Sequence, residues 1–111
     1  MEIAITHYKR CVVIKTKGRM DGSNAPELKT AFKEVIDKGE FNLVFDMSEV
    51  NFMASAGWWV LIDAQKTCKH LNRGEVVLAC IDKGIQDSLS LVGMSSYFKA
   101  FDDITSAVGS F

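Results

Sequence analysis

This chain of 111 residues carries few sequence signals of a specialised function, and it has a single proline. No apolar stretch approaches the roughly 18 residues that a membrane-spanning helix needs. The 13 basic and 14 acidic side chains nearly cancel, so no concentrated positive surface for binding nucleic acid is indicated. Because 48% of the residues are hydrophobic, we predict one folded domain over residues 1–111 and no extended disorder.

Metal ligands and catalytic bases are equally few. The three cysteines (Cys11, Cys68 and Cys80) show no Cys-x-x-Cys spacing and fall in strand or helix patterns, which indicates reduced core thiols. Two histidines, His7 and His70, are too few for a histidine-rich metal site. Neither glycine-rich phosphate-binding motif occurs. We therefore predict no cofactor, and the absence of a signal-peptide pattern at the N-terminus favours a cytoplasmic protein.

Strand and helix patterns alternate along the chain. Alternating apolar residues predict a hairpin of residues 2–8 and 11–17. The later predicted elements are a helix capped by Ser23 or Asn24 and stopped by Gly39, a strand over Phe41 to Met47, a helix over Ala56 to about Leu71, a strand over Glu75 to Ile81, a short helix through Ile85 and Leu89, a strand approach over Met94 to Phe101, and a small helix around Ile104 to Val108. This order predicts an α/β domain with a mixed, mostly parallel sheet of four to five strands, an N-terminal hairpin and about four helices.

One junction carries most of the candidate chemistry. A strand is predicted to deliver Asp46 to the carboxyl edge of the sheet, and Ser55-Ala56-Gly57 then opens a helix. The first N–H groups of a helix lack partners inside the helix and carry partial positive charge. Ser55 can therefore cap the helix, the commoner case, or carry a phosphate that this charge stabilises by roughly 0.3–1 kcal/mol. The junction alone leaves both interpretations open.

The helix after Ser55 is predicted to have two contrasting faces. At about 100° per residue the core stripe contains Gly57, Val60, Leu61, Ala64, Cys68 and Leu71. The opposite side carries Ser55, Trp59, Ile62, Asp63, Lys66 and His70. Trp58, at the border of the stripe, is predicted to be core. Trp59 either packs across a neighbouring loop or anchors a protein interface together with Ile62, and we favour the interface because the core stripe is already full.

The stretch from 46 to 57 resembles the signature of STAS domains, the family of the bacterial anti-sigma factor antagonists. It reads Asp46-Met47-Ser48, then Val50, then Phe52-Met53-x-Ser55-x-Gly57. The resemblance covers nearly the whole chain and implies that Ser55 is the phosphorylation site. Gly18-Arg19-Met20-Asp21 is similar to a family Gly-x-Leu-Asp, which implies that Asp21 lies beside Ser55, although an aspartate before glycine is also an ordinary turn residue. The predicted partner-binding residues are Asp21, Ser23, Asn24, Ala54, Ala56, Gly57, Trp59, Ile62, Asp63 and Lys66.

The resemblance implies a partner switch and not an enzyme. In such a switch the unmodified antagonist binds an anti-sigma factor that is also a serine kinase, which frees the sigma factor. Phosphorylation of Ser55 then breaks the complex, and a PP2C-type phosphatase restores it. Two positions depart from the family pattern: Ala54 stands where an aspartate is frequent, and Trp59 stands where a small residue is frequent. These departures bear on phosphorylation and on the choice of partner.

Two other functions remain open. The first is a STAS module used only for docking, in a signalling or lipid-transport assembly, with Ser55 serving merely as a helix cap. The second is a small hydrolase built on Ser55. A hydrolase needs a general base near the serine, but His70 follows fifteen residues later on the same predicted helix, roughly 22 Å away at about 1.5 Å per residue. The sequence therefore gives the hydrolase little support.

Overall fold

The computed structural model describes residues 2–70, 74–91, 93 and 96–111. Its elements, in chain order, are β1 (Glu2–His7), β2 (Val12–Met20), α1 (Ala25–Asp37), β3 (Leu43–Met53), α2 (Ser55–His70), β4 (Val76–Ala79), α3 (Lys83–Leu91), β5 (Ala100–Phe101) and α4 (Ile104–Gly109). The predicted order of strands and helices is confirmed. Two predicted boundaries, Leu71 and Met94, lie outside the described residues.

The five strands form one mixed sheet in the order β1-β2-β3-β4-β5. β1 is antiparallel to β2, and every later neighbouring pair is parallel. The predicted fold class, a mostly parallel sheet that begins with an N-terminal hairpin, is therefore confirmed. The parallel pairs require crossover connections, which the intervening helices provide.

The two faces of the sheet are covered unequally. Alternate strand residues pack against α1, α2 and α3 in the larger core cluster, which includes Val12, Ile14, Leu43, Phe45, Val76 and Leu78. The residues between them point to the other face, where a smaller cluster forms around Ala107 of α4. The long helices thus lie on one face, and α2 occupies a position between α1 and the β4 side of the sheet.

β3 is longer than its hydrophobic pattern predicts, because it runs on from Met47 to Met53. Two register shifts in the pairing with β2 insert extra residues into β3 and interrupt the simple alternation of apolar and polar side chains. Asp46 is consequently in the interior of β3, buried, with its Oδ1 accepting the Ser48 N–H at 2.9 Å. We predicted that Asp46 lies at the carboxyl end of its strand, and this is wrong because β3 continues to Met53. The neighbouring strand β4 does end opposite Asp46, at Ala79.

The three cysteines are free thiols, and the prediction that they lie in the core holds for two of them. Cys11 and Cys68 are buried and Cys80 is partly exposed. Burial raises the pKa of the Cys68 thiol to about 11, so this thiol is protonated at neutral pH. Across the described ranges, no cluster of histidine, cysteine, aspartate or glutamate is arranged to hold a metal ion. The helices in the same ranges include none with the length and apolar character to cross a bilayer.

Candidate functional site at the amino end of helix α2

β2 and β3 end side by side, and α2 begins directly after them. Met20 pairs with Met53, and the Ala54 N–H donates to the Met20 carbonyl at 2.9 Å. The Ala54 carbonyl accepts the N–H groups of Gly57 and Trp58 at 3.0 and 3.3 Å. Since the Trp58 bond is the first i to i−4 bond of the helix, Ala54 occupies the N-cap position. The strand ends thus fix where the helix starts.

Ser55 is the first residue of α2 and is exposed. The interpretation of Ser55 as the helix cap is therefore wrong, because the cap position belongs to Ala54, whose side chain has no acceptor. Within the described part of the chain, no hydrogen bond to the Ser55 hydroxyl is found. The hydroxyl is consequently presented to solvent beside helix N–H groups that carry partial positive charge.

Gly57 brings the first turn of α2 onto the strand ends. A Cβ atom at this position would lie 2.5 Å from Met20 Cγ and 2.8 Å from Met53 Sδ, closer than such atoms approach in folded proteins. Any larger residue would therefore require the Met20 and Met53 side chains or the start of the helix to shift. Gly57 is buried, so the prediction that it contacts a partner directly is not supported by its position. Its role here is to allow close packing.

The exposed side of α2 agrees with the prediction except at one residue. Trp59 is 54% exposed, and Asp63 and Lys66 are exposed on the following turns. Ile62 was predicted to share this surface as an exposed contact residue. This prediction is wrong, because Ile62 is only 1% exposed.

The burial of Ile62 follows from contacts that helical periodicity does not reveal. One turn before it, the Trp58 indole N–H donates to Ser88 Oγ of α3 at 3.1 Å, and Trp58 is buried as predicted. The covered arc of α2 therefore extends from the sheet around to α3. Ile62 falls within that wider arc and belongs to the main core cluster.

A polar loop between β2 and α1 lies next to the start of α2. Asp21 Oδ1 accepts the Ser23 hydroxyl at 2.6 Å and the Ser23 N–H at 3.0 Å, and the Arg19 guanidinium is 3.3 Å from Oδ2. These bonds, the Ser23 hydroxyl first, lower the pKa of Asp21 below its ordinary value. Asp21 follows Met20, whose carbonyl accepts the Ala54 N–H, so the loop that begins at Asp21 and the helix that begins at Ser55 start from the same pair of strand ends.

Asn24 closes this loop. It occupies the N-cap position of α1, but its side chain makes no capping bond to the helix. Its Oδ1 instead accepts the Asp21 N–H at 2.8 Å, and its Nδ2 donates to the Arg19 carbonyl at 2.6 Å. The predicted cap position at Asn24 is therefore confirmed, but the side chain bonds the loop around Asp21 and not the first N–H groups of the helix.

One contact of this surface was not predicted from the sequence. The Arg19 guanidinium carbon lies 4.0 Å from the centroid of the Phe52 ring, a cation–π contact at the end of β2 and β3. Phe52 is 39% exposed, so a second aromatic side chain accompanies Trp59 at the protein surface. The pairing of Arg19 with Phe52 across the two strands places both residues together, which the separate motifs could not indicate.

A groove of about 300 Å³ between α1 and α2 was also not predicted. Its floor is apolar and includes Phe32, Ile36, Val60 and Ala64, and its rim carries Lys29, Lys33, Asp37, Asp63 and Thr67. Lys33 and Asp37 form an ion pair of 2.8 Å on this rim. Asp63 belongs both to this rim and to the exposed side of α2 that contains Trp59.

Comparison with known proteins places this geometry in a family. The model of the STAS domain matches residues 2–107. A candidate anti-sigma factor antagonist of Bordetella bronchiseptica, BtrV, is 22% identical over 111 residues, which are 100% of this chain and 95% of that protein. The crystal structure of a candidate anti-sigma factor antagonist from Thermotoga maritima has a TM-score of 0.90 at 20% identity, covering 97% of this chain and 92% of the other. The Bacillus cell fate determinant SpoIIAA in its phosphorylated form has a TM-score of 0.77 at 14% identity, covering 98% of both chains. Since the family model spans nearly the whole sequence, the chain belongs to the STAS domain family.

Proposed function

We propose that this protein is an anti-sigma factor antagonist controlled by phosphorylation of Ser55. In its unmodified form it binds an anti-sigma factor serine kinase and frees the sigma factor. The kinase phosphorylates Ser55 and the complex dissociates, and a PP2C-type phosphatase regenerates the binding form. The observation that carries the proposal is the exposed Ser55 hydroxyl, with no hydrogen-bond partner in the described chain and with the exposed Trp59 one turn farther along α2. The names of BtrV and of the Thermotoga protein support the same class of function.

The position of Ser55 suits a phosphate for two physical reasons. Because Ala54 and not Ser55 occupies the cap position, modifying the hydroxyl breaks no hydrogen bond of the helix. The phosphate would also meet the positive end of α2, an interaction of roughly 0.3–1 kcal/mol at an exposed site. Phosphorylation is therefore compatible with an unchanged fold. SpoIIAA, which shares this fold, has a phosphorylated form.

Ala54 carries no carboxylate, so a negative charge close to Ser55 has to come from another residue. Asp21 directly follows Met20, whose carbonyl accepts the Ala54 N–H, and its carboxyl group is ionised at neutral pH like that of an ordinary aspartate. We infer that Asp21, held by Ser23 and Arg19, supplies the negative charge that other family members carry immediately before the serine. Asp21, Ser23 and Asn24 then form the second part of the partner-binding surface, beside the exposed residues Trp59, Asp63 and Lys66 of α2.

Phosphorylation itself is the first test. Incubation with the cognate anti-sigma factor kinase and ATP is expected to add one phosphate to the intact mass, with peptide fragmentation locating it on Ser55. The Ser55→Ala variant is expected to stay unmodified, while Ser90→Ala, which removes an exposed serine of α3 outside the proposed binding surface, is expected to be modified like the parent. If the parent binds the kinase but gains no phosphate, the alternative of a docking module that is not phosphorylated replaces this proposal.

Trp59→Ala is expected to lower the affinity for the anti-sigma factor by about 1–2 kcal/mol, or roughly five- to thirtyfold. The physical reason is that its exposed indole adds a large contact area at low entropic cost. The free energy of unfolding is expected to change by no more than about 0.5 kcal/mol, because the side chain is largely outside the core. Titration calorimetry gives the affinity, and thermal denaturation gives the stability.

Tyr8→Ala is the matched control for Trp59→Ala. Tyr8 is also an exposed aromatic residue, but it lies just after β1, away from α2. Its removal is expected to leave the affinity unchanged. Equal losses of affinity in the two variants, or none in Trp59→Ala, would place the binding surface elsewhere.

A further inference from the structure

β1 is an edge strand with backbone groups directed away from the sheet. The Tyr8 N–H donates to the Cys11 carbonyl at 2.8 Å, in register with the pairing of β1 with β2. In an antiparallel pair the hydrogen-bonded and non-hydrogen-bonded residues alternate. Ala4 and Thr6 therefore bond to β2 like Tyr8. The N–H and C=O groups of Ile3, Ile5 and His7 point outward, and no partner for them is found within the described residues.

This edge lacks three of the features by which natural sheets discourage strand pairing. Edge strands are usually protected by lysine, by proline or by a bulge. Residues 2–7 contain no lysine, arginine or proline, and the pairing of β1 with β2 has no register shift. Ile5, on the helix-covered face, remains 39% exposed. The edge at β5, by contrast, is only two residues long.

We propose that β1 pairs antiparallel with β1 of a second copy of this chain, which joins the two sheets into one. Centring the pair on Ile5 places Ile5 opposite its equivalent and Ile3 opposite His7, so that all the outward groups form about six hydrogen bonds. The two Ile5 side chains then cover each other on the helix side of the sheet.

Self-complementarity favours a second copy over an unrelated strand. In the register centred on Ile5, Glu2 of each copy lies opposite Tyr8 of the other, next to the basic turn at Lys9 and Arg10. Each end of the strand pair therefore brings an acidic side chain close to basic ones. A net charge of −1 per chain adds little repulsion between the copies. One short strand buries less than a standard dimer interface, so we expect weak association, with a dissociation constant on the order of 100 µM.

Sedimentation velocity from about 10 µM to about 1 mM tests the proposal, since this range spans the expected dissociation constant. The parent chain is expected to shift from monomer to dimer over this range. Ile5→Lys is expected to weaken the dimer at least tenfold, because it places two like charges together at the centre of the pair. Trp59→Lys makes the same kind of change at another exposed apolar residue and is expected to leave the dimer intact. A dimer that Trp59→Lys disrupts and Ile5→Lys does not would overturn the proposal.

Amide hydrogen exchange of the parent chain, resolved by residue, gives a readout that depends on no variant. At low concentration the amides of Ala4 and Thr6 are expected to exchange slowly, and those of Ile3, Ile5 and His7 quickly. At high concentration the second group is expected to become protected as the dimer forms. A chain that stays monomeric throughout, or a dimer in which these three amides remain unprotected, contradicts the proposal.

Discussion

Replacement of Gln65 by leucine is expected to destabilise the fold by about 3–5 kcal/mol, the largest effect on stability that we predict for a single side chain. Gln65 is 0% exposed, and its Oε1 accepts the Val76 N–H at 2.6 Å. Its Nε2 donates to the carbonyls of Val76 and Tyr97 at 3.1 and 3.0 Å. Leucine leaves these groups without partners, and each unsatisfied buried group costs about 1–3 kcal/mol. Urea denaturation measures the loss, which is a large part of the 5–15 kcal/mol typical of small domains.

Gln86→Leu is the matched control, because Gln86 is an exposed glutamine on α3. The same substitution there is expected to change the free energy of unfolding by no more than about 0.5 kcal/mol. Gln65→Glu separates shape from hydrogen bonding, since a carboxylate can accept the Val76 N–H but cannot donate. Burial would raise the pKa of the new carboxyl, so this variant should gain stability as the pH falls through that raised value and the group becomes a donor. A Gln65→Leu variant as stable as Gln86→Leu would show that solvent replaces these bonds.

The importance of Gln65 could have been suspected from the sequence but not explained by it. Gln65 lies among apolar residues spaced for the core of α2, between Leu61 and Cys68. A polar residue inside an apolar stripe indicates an internal hydrogen-bonding role. Its partners are on β4 and in the chain before β5, and nothing local to α2 identifies them. Such contacts between distant segments depend on the assembled fold.

The fold itself was largely predictable, because most elements carry local signals. The hairpin and the core side of α1 follow from hydrophobic periodicity, and the order of elements implies the parallel sheet. The continuation of β3 beyond Met47 was not predictable, since it depends on pairing with β2 through two irregularities. Ile62 was misplaced for a related reason: the projection of one helix gives the direction of a side chain but not the width of the surface that its neighbours cover.

The candidate site was predictable where its residues lie close together in the sequence. Ser55 and Trp59 follow from one short segment, and both are exposed. The contact of Arg19 with Phe52 and the groove between α1 and α2 require segments that are far apart in the sequence. The network around Asp21 lies between these cases. Its members are close in sequence, but only the assembled fold shows that the Asn24 side chain bonds the loop and not the N–H groups of the helix that it precedes.

Phosphorylation of Ser55 is expected to weaken binding to the anti-sigma factor at least a hundredfold, which corresponds to about 2.7 kcal/mol. A phosphoserine adds about 1.5 to 2 negative charges at neutral pH. Here the charge would appear one turn from Trp59 and at the same end of the sheet as the ionised Asp21, within the proposed interface. Burial of that phosphate against a partner costs desolvation and like-charge repulsion. Titration calorimetry of the purified phosphorylated form against the parent measures the change.

Four comparisons separate an electrostatic switch from a general effect of charge or of unfolding. Ser55→Ala is expected to bind like the parent, since a missing hydroxyl adds no charge, and Ser55→Glu is expected to reproduce part of the loss. Thr105→Glu adds the same charge on α4, on the opposite face of the sheet, and is expected to leave binding unchanged. The melting temperature of the phosphorylated form should equal or slightly exceed that of the parent, because the phosphate meets the positive end of α2. If the phosphorylated form binds as tightly as the parent, Ser55 is outside the interface and the switch must act elsewhere.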